Sequence, residues 1–277
     1  MKFIGGLFFF LVCVINSLSA YNLRQVTNSD GLTSSAVLSL LQDSNGFLWM
    51  GTCDGVNIYD GTKAYSWNGW GQLNLSGYII EEILETHDGV IWVQTNYGLS
   101  KVDKEKRLVV DYPQFKGSYM MVKNELGNLF FFSSSNLLYA FNEKKQEFYR
   151  LPIGTLDRED IVNLYVNEHY LIIFLKNEII YYQMKHSPEG EYTLSTLNTS
   201  EKTEVRYGFG DKNQVYWLDK DYNLFGYSLD KPVKKLICNW KEALDGRGTI
   251  VDILRDGTSF FCCVSNKWFI EDFFAGK

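Results

Sequence analysis

Short apolar runs alternate with turn-forming residues along the chain. The stretch that begins at Ser34, SSAVLSLLQDSNGFLWMGTCDGVNIYDGTKAYSW, holds four such runs, separated by turns that contain glycine and aspartate. Runs of about four to eight residues with apolar alternation, bounded by Gly, Asn and Asp, are typical of β-strands joined in hairpins. The stretch therefore predicts a unit of four short antiparallel strands.

The same unit recurs at a nearly constant spacing. A second copy, GYIIEEILETHDGVIWVQTNYGLSKVDKEKRLVVDY, begins at Gly77, and fainter copies follow it. The corresponding positions on the second strand are Trp49, Trp92, Phe130, Ile172, Tyr216 and Phe260. Four strands in about 40–45 residues is the size of a β-propeller blade. The sequence therefore predicts an all-β fold, a β-propeller of about six four-stranded blades, with one short helix near residues 239–246.

The repeat also predicts the division of the chain. Residues 21–277 are expected to form the propeller, and residues 23–27 are expected to form an N-terminal strand. The predicted blades are 34–76, 77–116, 117–158, 159–202, 203–247 and 248–277, of which the last is incomplete. Pairing of the N-terminal strand with the last blade would close a six-bladed ring and remove an exposed edge. The alternative is an open arc.

The recurring turn motif is explained by packing. Asp43 and Gly46 can close the first hairpin, because Asp bonds to nearby backbone and Gly accepts a positive φ. Trp49 then lies on the second strand and buries its ring against a neighbouring blade, and its recurrence favours this role over ligand stacking. The motif residues of the first two units are Asp43, Gly46, Trp49, Gly51, Thr52 and Gly55, then Asp88, Gly89, Trp92, Thr95 and Gly98.

The first twenty residues predict export. Lys2 is followed by thirteen apolar or small residues, from Phe3 to Ile15, and then by NSLSA. This pattern is typical of a secretory signal peptide over residues 1–20, cleaved near Ser19 or Ala20. The alternative, an uncleaved anchor, is disfavoured because a membrane span needs about 20 apolar residues. No later apolar stretch is long enough to span a membrane, so no further span is expected.

Composition and charge limit which partners and cofactors are expected. A net charge of −6 gives no basic surface for nucleic acid, and the run KEKR at 104–107 is interpreted as a solvated turn. No CxxC pair or Cys/His cluster has zinc spacing, so neither a metal site nor another cofactor is predicted. The pairing of the cysteines that would remain after cleavage stays open: Cys53, Cys238, Cys262 and Cys263.

Catalysis is not expected from the sequence. A propeller glycosidase or lyase would need paired carboxylates that face one cavity. Glu81, Glu82 and Glu85 lie on or beside a repeat strand without a recurring catalytic arrangement. The chain also lacks the G-x-S-x-G, HExxH and P-loop motifs. The prediction is a non-enzymatic chain.

The stretch LTSSAVLSLLQDSNGFLWMGTCDGVNIYDG, from Leu32 to Gly61, resembles the regulator-propeller repeat. That repeat forms the exported sensor region of hybrid two-component histidine kinases in gut Bacteroidetes. The motif residues given above, together with Tyr59, Asp60 and Asp103, carry the resemblance. Two positions depart from the family pattern: Ser35 stands where the family usually has Asn, and Gln94 replaces the small residue matched by Gly51.

The resemblance implies a periplasmic sensor of glycan breakdown products, built from seven-bladed propellers and followed by a kinase. The histidines of this chain, His87, His169 and His186, are not in a kinase-like setting, and no nucleotide-binding motif or helix-turn-helix occurs. We therefore expect an incomplete ring of a seven-bladed propeller, as in a sensor region truncated before its kinase and output domains.

The resemblance also implies an oligosaccharide ligand and a second propeller or a homodimer as partner. Trp67, Trp70 and Tyr97 are the candidate ligand-binding residues, because aromatic faces stack on the C–H groups of a pyranose and these residues lie near loops. The alternative for each is local packing. Two other functions remain open: a periplasmic scaffold for protein interactions, and a truncated remnant without function.

Overall fold

The computed structural model describes residues 25–67, 69–70, 73–197, 201–244, 250–256, 259–264 and 272–274. Its regular structure is almost entirely antiparallel β-sheet, which confirms the predicted all-β class. Within each main sheet the strands follow one another in chain order, as in a meander. The predicted signal peptide, residues 1–20, lies outside the described residues.

Three four-stranded sheets come first. The first sheet contains β1 (Val37–Gln42), β2 (Leu48–Thr52), β3 (Gly55–Tyr59) and β4 (Ala64–Trp67). A short hairpin follows, formed by β5 (Gly69–Trp70) and β6 (Leu73–Asn74). The second sheet contains β7 (Ile80–Glu85), β8 (Ile91–Thr95), β9 (Gly98–Asp103) and β10 (Leu108–Tyr112). The third sheet contains β11 (Tyr119–Lys123), β12 (Leu129–Phe132), β13 (Leu138–Asn142) and β14 (Glu147–Arg150).

Three further sheets complete the described fold. The fourth sheet contains β15 (Ile161–Val166), β16 (Tyr170–Leu175), β17 (Glu178–His186) and β18 (Tyr192–Thr196), and β19 (Glu201–Lys202) also pairs with β17. The fifth sheet contains β20 (Tyr207–Asp211), β21 (Gln214–Leu218), β22 (Asn223–Ser228) and β23 (Lys234–Asn239). The sixth sheet contains β24 (Ile250–Asp256), β25 (Ser259–Val264) and β26 (Asp272–Phe274).

The elements outside the sheets are short. The helix α1 (Lys241–Leu244) lies between the fifth and sixth sheets, which confirms the helix predicted near 239–246. Two 3-10 helices, Asn28–Asp30 and Pro113–Phe115, connect other elements. No helix in the described part of the chain is long and apolar enough to span a membrane.

The first strand of each sheet contacts the first strand of the next. These contacts join β1 to β7, β7 to β11, β11 to β15, β15 to β20 and β20 to β24. Apolar side chains from successive sheets fill the space between them, as in the cluster that packs Trp49 with Ile83 and Val93. Sheets packed face to face with their first strands adjacent are the blades of a propeller. The predicted fold class is therefore confirmed.

The predicted second-strand positions share one environment. Trp49 and Trp92 are 2% and 1% exposed, and each packs against residues of the following sheet. Phe130, Ile172 and Tyr216 occupy the same place between later sheets. Phe260 lies on β25, but its side chain is outside the described part of the structure. Large buried side chains at this position hold successive blades together.

β-Bulges on three first strands place a polar side chain toward the next blade. The register shifts between Val37 and Ser39 on β1, and the Ser39 hydroxyl accepts a hydrogen bond from the Ile83 amide, 3.0 Å away. On β7 the shift precedes Glu82, whose carboxyl accepts from the Met121 amide at 3.1 Å. On β15 the amide of Asn163 donates to the Gly208 carbonyl at 2.7 Å. A bulge re-aims a side chain in this way because it adds one residue to the strand.

The N-terminal segment is not a strand where the structure describes it. Thr27 caps the 3-10 helix Asn28–Asp30, and the backbone N–H of Thr27 donates to the Asp30 carboxylate at 2.9 Å. Gln25 and Val26, the other described residues of the predicted strand 23–27, have no regular structure. Among the described residues no N-terminal strand pairs with the sixth sheet.

Candidate functional site

A groove of about 440 Å³ lies between the first two sheets. Its walls come from the turn between β2 and β3, from β4, from residues 74–78 and from the turn between β8 and β9. Its lining combines hydroxyl, amide and carboxylate groups with two tyrosine rings, and includes Thr33, Asp54, Ser66, Asn74, Tyr78 and Tyr97. Small-molecule sites usually begin at about 300 Å³ and combine apolar walls with a few polar groups.

Two turns with the pattern Thr–x–x–Gly, Thr52–Gly55 and Thr95–Gly98, contribute residues to the groove lining. The Thr95 hydroxyl donates to the Gly98 carbonyl at 3.1 Å and accepts from the Tyr97 amide at 3.2 Å. Thr52 makes the same two contacts in the turn of the first sheet, with the Gly55 carbonyl and the Asp54 amide. A threonine hydroxyl that bonds to nearby backbone stabilises a turn. The motif threonines therefore fix the positions of Asp54 and Tyr97 at the two tips.

A second layer of hydroxyls supports these turns from below. The Ser76 hydroxyl lies 3.0 Å from that of Thr95 and 3.1 Å from that of Ser100. In the first sheet the Thr33 hydroxyl donates to the Asn57 amide oxygen at 2.7 Å. Because these groups already have partners, the base of the groove is fixed by the fold.

Two tyrosines form the aromatic part of the groove lining. Tyr78 and Tyr97 are 55% and 44% exposed, with ring centroids 6.3 Å apart and planes inclined at 52°. The Lys116 ammonium lies 4.7 Å from the centroid of the Tyr97 ring. A cation within about 6 Å of a ring centroid is attracted by the ring quadrupole. Lys116 therefore stabilises the position of the Tyr97 ring, and both tyrosines remain exposed.

The polar groups of the groove lining have unused hydrogen-bonding capacity. Asp54, Ser66 and Asn74 are exposed, and their side chains make no hydrogen bond to other described residues. Together they offer a carboxylate, a hydroxyl and an amide. These groups can both donate to and accept from a ligand.

The structure separates the predicted ligand-binding residues. Tyr97 lines the groove, whereas Trp67 is half-buried and packs edge-on against Trp49, with ring centroids 5.3 Å apart. Trp70 lies on β5, but its side chain is outside the described part of the structure. Sequence reasoning missed Tyr78. A tyrosine directly after Gly77, where the chain enters the second blade, was the available signal.

An ion-paired cluster lies elsewhere between the same two sheets. The Lys104 ammonium donates to Asp43 at 2.9 Å and to Glu85 at 2.8 Å. The Glu85 carboxylate also accepts from the backbone and hydroxyl of Ser44, at 2.7 and 2.8 Å. Burial acts to lower the pKa of Lys104, but its two carboxylate partners outweigh burial and raise that pKa. The interpretation of KEKR as a solvated turn is therefore wrong for Lys104.

Two motif positions of the second sheet differ from their first-sheet counterparts. In the first sheet the Asp43 amide donates to the Phe47 carbonyl, and in the second sheet the Thr86 amide donates to the Val90 carbonyl. Thr86, and not Asp88, therefore stands in the place of Asp43. The Asp88 carboxylate instead accepts from the Thr86 hydroxyl at 2.7 Å.

Gln94, which stands in the place of Gly51, bridges two sheets. Its amide nitrogen donates to the Glu81 carboxylate at 2.9 Å and to the Ser118 carbonyl at 2.8 Å. Where Gly51 allows close approach of the next blade, Gln94 makes a hydrogen bond to Ser118, the residue directly before the third sheet.

Neither metal ligation nor disulfide bonding marks a site in the described residues. No group of three His, Cys, Asp or Glu side chains there could hold a metal ion. Cys53 and Cys238 are free thiols. The side chains of Cys262 and Cys263 lie outside the part that the structure describes.

The fold and the groove define the class: a β-propeller with an open ligand-sized groove between two blades. Its fold is similar to that of the β-propeller domain of Cps50 (Swd1) from Myceliophteria thermophila, with a TM-score of 0.59 and 12% identity over 88% of this chain and 83% of that chain. It is also similar to virginiamycin B lyase from Staphylococcus aureus, with a TM-score of 0.57 and 10% identity over 90% and 86% of the two chains.

The first repeat carries a more specific match. Residues 31–54 match the family model described as two component regulator propeller, which confirms the resemblance found in the sequence. The extracellular domain of a hybrid two component system from B. thetaiotaomicron has a similar fold, with a TM-score of 0.52 and 16% identity over 90% of this chain. This chain spans 41% of that domain's length. No curated protein sequence matches the chain.

Proposed function

We propose that this chain is an exported propeller module that senses glycan-derived oligosaccharides, in the manner of the N-terminal sensor of a hybrid two-component system. The observation that carries the proposal is the regulator-propeller match at residues 31–54, which includes the motif residues Asp43 and Trp49. The fold shared with a two-component extracellular domain supports the same class of protein. In this proposal the blades follow the six ranges predicted from the repeat.

A periplasmic location follows from the signal-peptide pattern of residues 1–20. Production of the full chain in a Gram-negative host tests this part. We expect the protein in the osmotic-shock fraction, with an N-terminus near Tyr21. Retention of the uncleaved chain in the cytosol would contradict the proposal.

A sensing role fits the chemistry better than catalysis does. The similarity to the lyase is at 10% identity, which supports a shared fold and not a shared reaction. The nearby carboxylates have structural partners: Glu85 binds Lys104 and Ser44, and Glu82 accepts from Met121. None of these glutamates lines the groove. We therefore propose that the groove binds a ligand without transforming it.

Ligand sensing is tested by binding of glycan fragments to the purified full chain. We expect at least one oligosaccharide in a panel of plant, host and microbial glycan fragments to raise the thermal unfolding midpoint, because a ligand that binds only the native state stabilises it. A chain with cooperative unfolding and no response to any fragment would contradict glycan sensing.

A protein-binding scaffold is the second candidate function. Leu40 is 60% exposed and pairs on β1 with Met50, whereas the adjacent Leu41 pairs with Trp49, which packs toward the second sheet. Since paired residues share a face, Leu40 lies on the opposite, outer face of the first sheet. An exposed leucine there favours contact with a second propeller, either another protein or another copy of the chain. Concentration-dependent sedimentation of the wild type and of Leu40→Ser would detect such an association.

A further inference from the structure

The groove lining carries two kinds of chemical group. Tyr78 and Tyr97 supply a pair of exposed rings inclined at 52°, while Asp54, Ser66 and Asn74 supply uncommitted hydrogen-bonding groups. A ligand that uses both kinds of group must have an apolar face and a rim of hydroxyls. A pyranose ring has this combination, since its axial C–H groups form a face and its hydroxyls point outward.

The turn between β8 and β9 does not require an exposed aromatic residue such as Tyr97 at its tip. Corresponding tips in other sheets carry polar or charged residues, such as Asn136 between β12 and β13 and Asn177 between β16 and β17. The tyrosine at the fifth sheet's turn, Tyr222, is 9% exposed, whereas Tyr97 is 44% exposed. Exposed aromatics in loops that a rigid scaffold positions are typical of binding surfaces.

The charge of the groove restricts the sugar. The Asp54 carboxylate lines the groove and has no cationic partner among the described residues. Lys116, the nearby cation, lies against the Tyr97 ring and does not line the groove. The chain as a whole carries a net charge of −6. A uronate or sulfate in this groove would meet a carboxylate and an overall negative field.

We infer that the groove between the first two blades binds a short segment of an uncharged glycan, with a pyranose face on Tyr78 and Tyr97 and hydroxyls on Asp54, Ser66 and Asn74. This inference rests on the proposed glycan-sensing function and adds to it a location and a ligand class. Neutral sugars are selected over acidic ones by Asp54. The volume of about 440 Å³ suits a segment of a few rings rather than a polymer surface.

The test compares neutral and acidic disaccharides on the full chain. The neutral probes are cellobiose, maltose, xylobiose, mannobiose and galactobiose, and the acidic probe is digalacturonate. Binding is measured by titration calorimetry and by saturation-transfer NMR for the wild type, Tyr78→Ala, Tyr97→Ala and the control Tyr65→Ala. Tyr65 is a matched control, because it is 52% exposed and does not line the groove. Circular dichroism establishes that each variant is folded.

We expect a neutral disaccharide to bind the wild type and digalacturonate not to bind. Each groove variant should weaken binding by about tenfold or more, and Tyr65→Ala should leave it unchanged. Neutral binding that both groove variants retain, or a preference for digalacturonate, would overturn the inference and leave glycan sensing intact. Absence of binding to every probe by the folded wild type would overturn the inference, and the wider fragment panel then decides the fate of the proposed function.

Discussion

The indole N–H of Trp49 donates a hydrogen bond to the carboxylate of Asp43, 2.9 Å away. The other oxygen of Asp43 accepts from the backbone amides of Asn45 and Phe47, at 3.0 and 2.9 Å. One aspartate therefore closes the first hairpin and also orients the ring that packs against the next blade. This double role explains why the first repeat combines an acidic turn residue with a tryptophan six positions later.

Lys104 links Asp43 to Glu85 of the second sheet, and we expect the loss of Lys104 to destabilise the protein. Lys104→Met removes the bonds to Asp43 and Glu85 and leaves two nearby carboxylates without a shared cation. The expected loss is about 2 kcal/mol, below the 3–5 kcal/mol of a fully buried pair, because the lysine is partly exposed. Urea unfolding at neutral pH measures the change in the free energy of unfolding.

Lys106→Met is the matched control from the same turn. Lys106 pairs with Asp103 at 2.8 Å, but its side chain is 77% exposed. Surface ion pairs of this kind contribute little to stability. We expect unfolding indistinguishable from the wild type, and equal losses in the two variants would show that the cluster does not join the blades.

Local patterns predicted the parts of the fold that depend on neighbours in the chain. Trp49 and Trp92 could be placed because each follows a turn and begins an apolar strand within one repeat. The contact of Lys104 with Asp43 joins residues 61 positions apart, so it depends on how two sheets pack. Sequence reasoning read only the local charge of KEKR and therefore missed it.

In the candidate site, too, the sequence predicted a residue within the repeated motif and missed one that depends on how two sheets meet. Tyr97 was identifiable because it lies in a two-residue turn whose flanking Thr95 and Gly98 are part of the repeat. Its partner Tyr78 lies in a connection outside the repeated motif, and the groove exists only where that connection meets the first sheet. Trp67 was proposed by the same reasoning as Tyr97, yet it pairs on β4 with the buried Val56 and packs against Trp49.

Glu82 should make stability depend on pH. Burial raises the pKa of its carboxyl to about 7, and the Met121 amide and the charge of Glu81 act in opposite directions on it. The folded state therefore binds more protons than the unfolded state between the ordinary glutamate pKa and 7. Stability is fully present below that window and falls as pH rises through it, by up to about 1.4 kcal/mol per unit.

Glu82→Gln keeps an oxygen for the Met121 amide but cannot ionise. We expect this variant to be more stable than the wild type at pH 8, by about 1–3 kcal/mol, and equally stable at pH 4.5. Urea unfolding at both pH values measures the difference. The exposed Glu147 on β14 provides the control variant Glu147→Gln, for which a similar gain at pH 8 would rule out a specific effect of Glu82.

Gly51 should resist even a small side chain, because the second blade lies directly against it. A Cβ at this position would stand 2.6 Å from Ile80 Cγ2 and 3.3 Å from the Ile80 carbonyl oxygen. Ile80 is fully buried and β-branched, so it has little freedom to move aside. We expect Gly51→Ala to lower the free energy of unfolding by about 1–3 kcal/mol.

Gly154→Ala separates this steric effect from the general effect of adding a methyl group. Gly154 is exposed, its φ is not in the left-handed region, and a Cβ there would have no neighbour within 4 Å. Alanine restricts the unfolded chain, so we expect a neutral result or a gain of about 0.4–1 kcal/mol. Chemical denaturation of both variants should therefore give shifts of opposite sign or a loss only for Gly51→Ala. If Gly51→Ala were as stable as the wild type, the interface at Ile80 could shift to accommodate a methyl group, and the packing of the first two blades would not be rigid at this point.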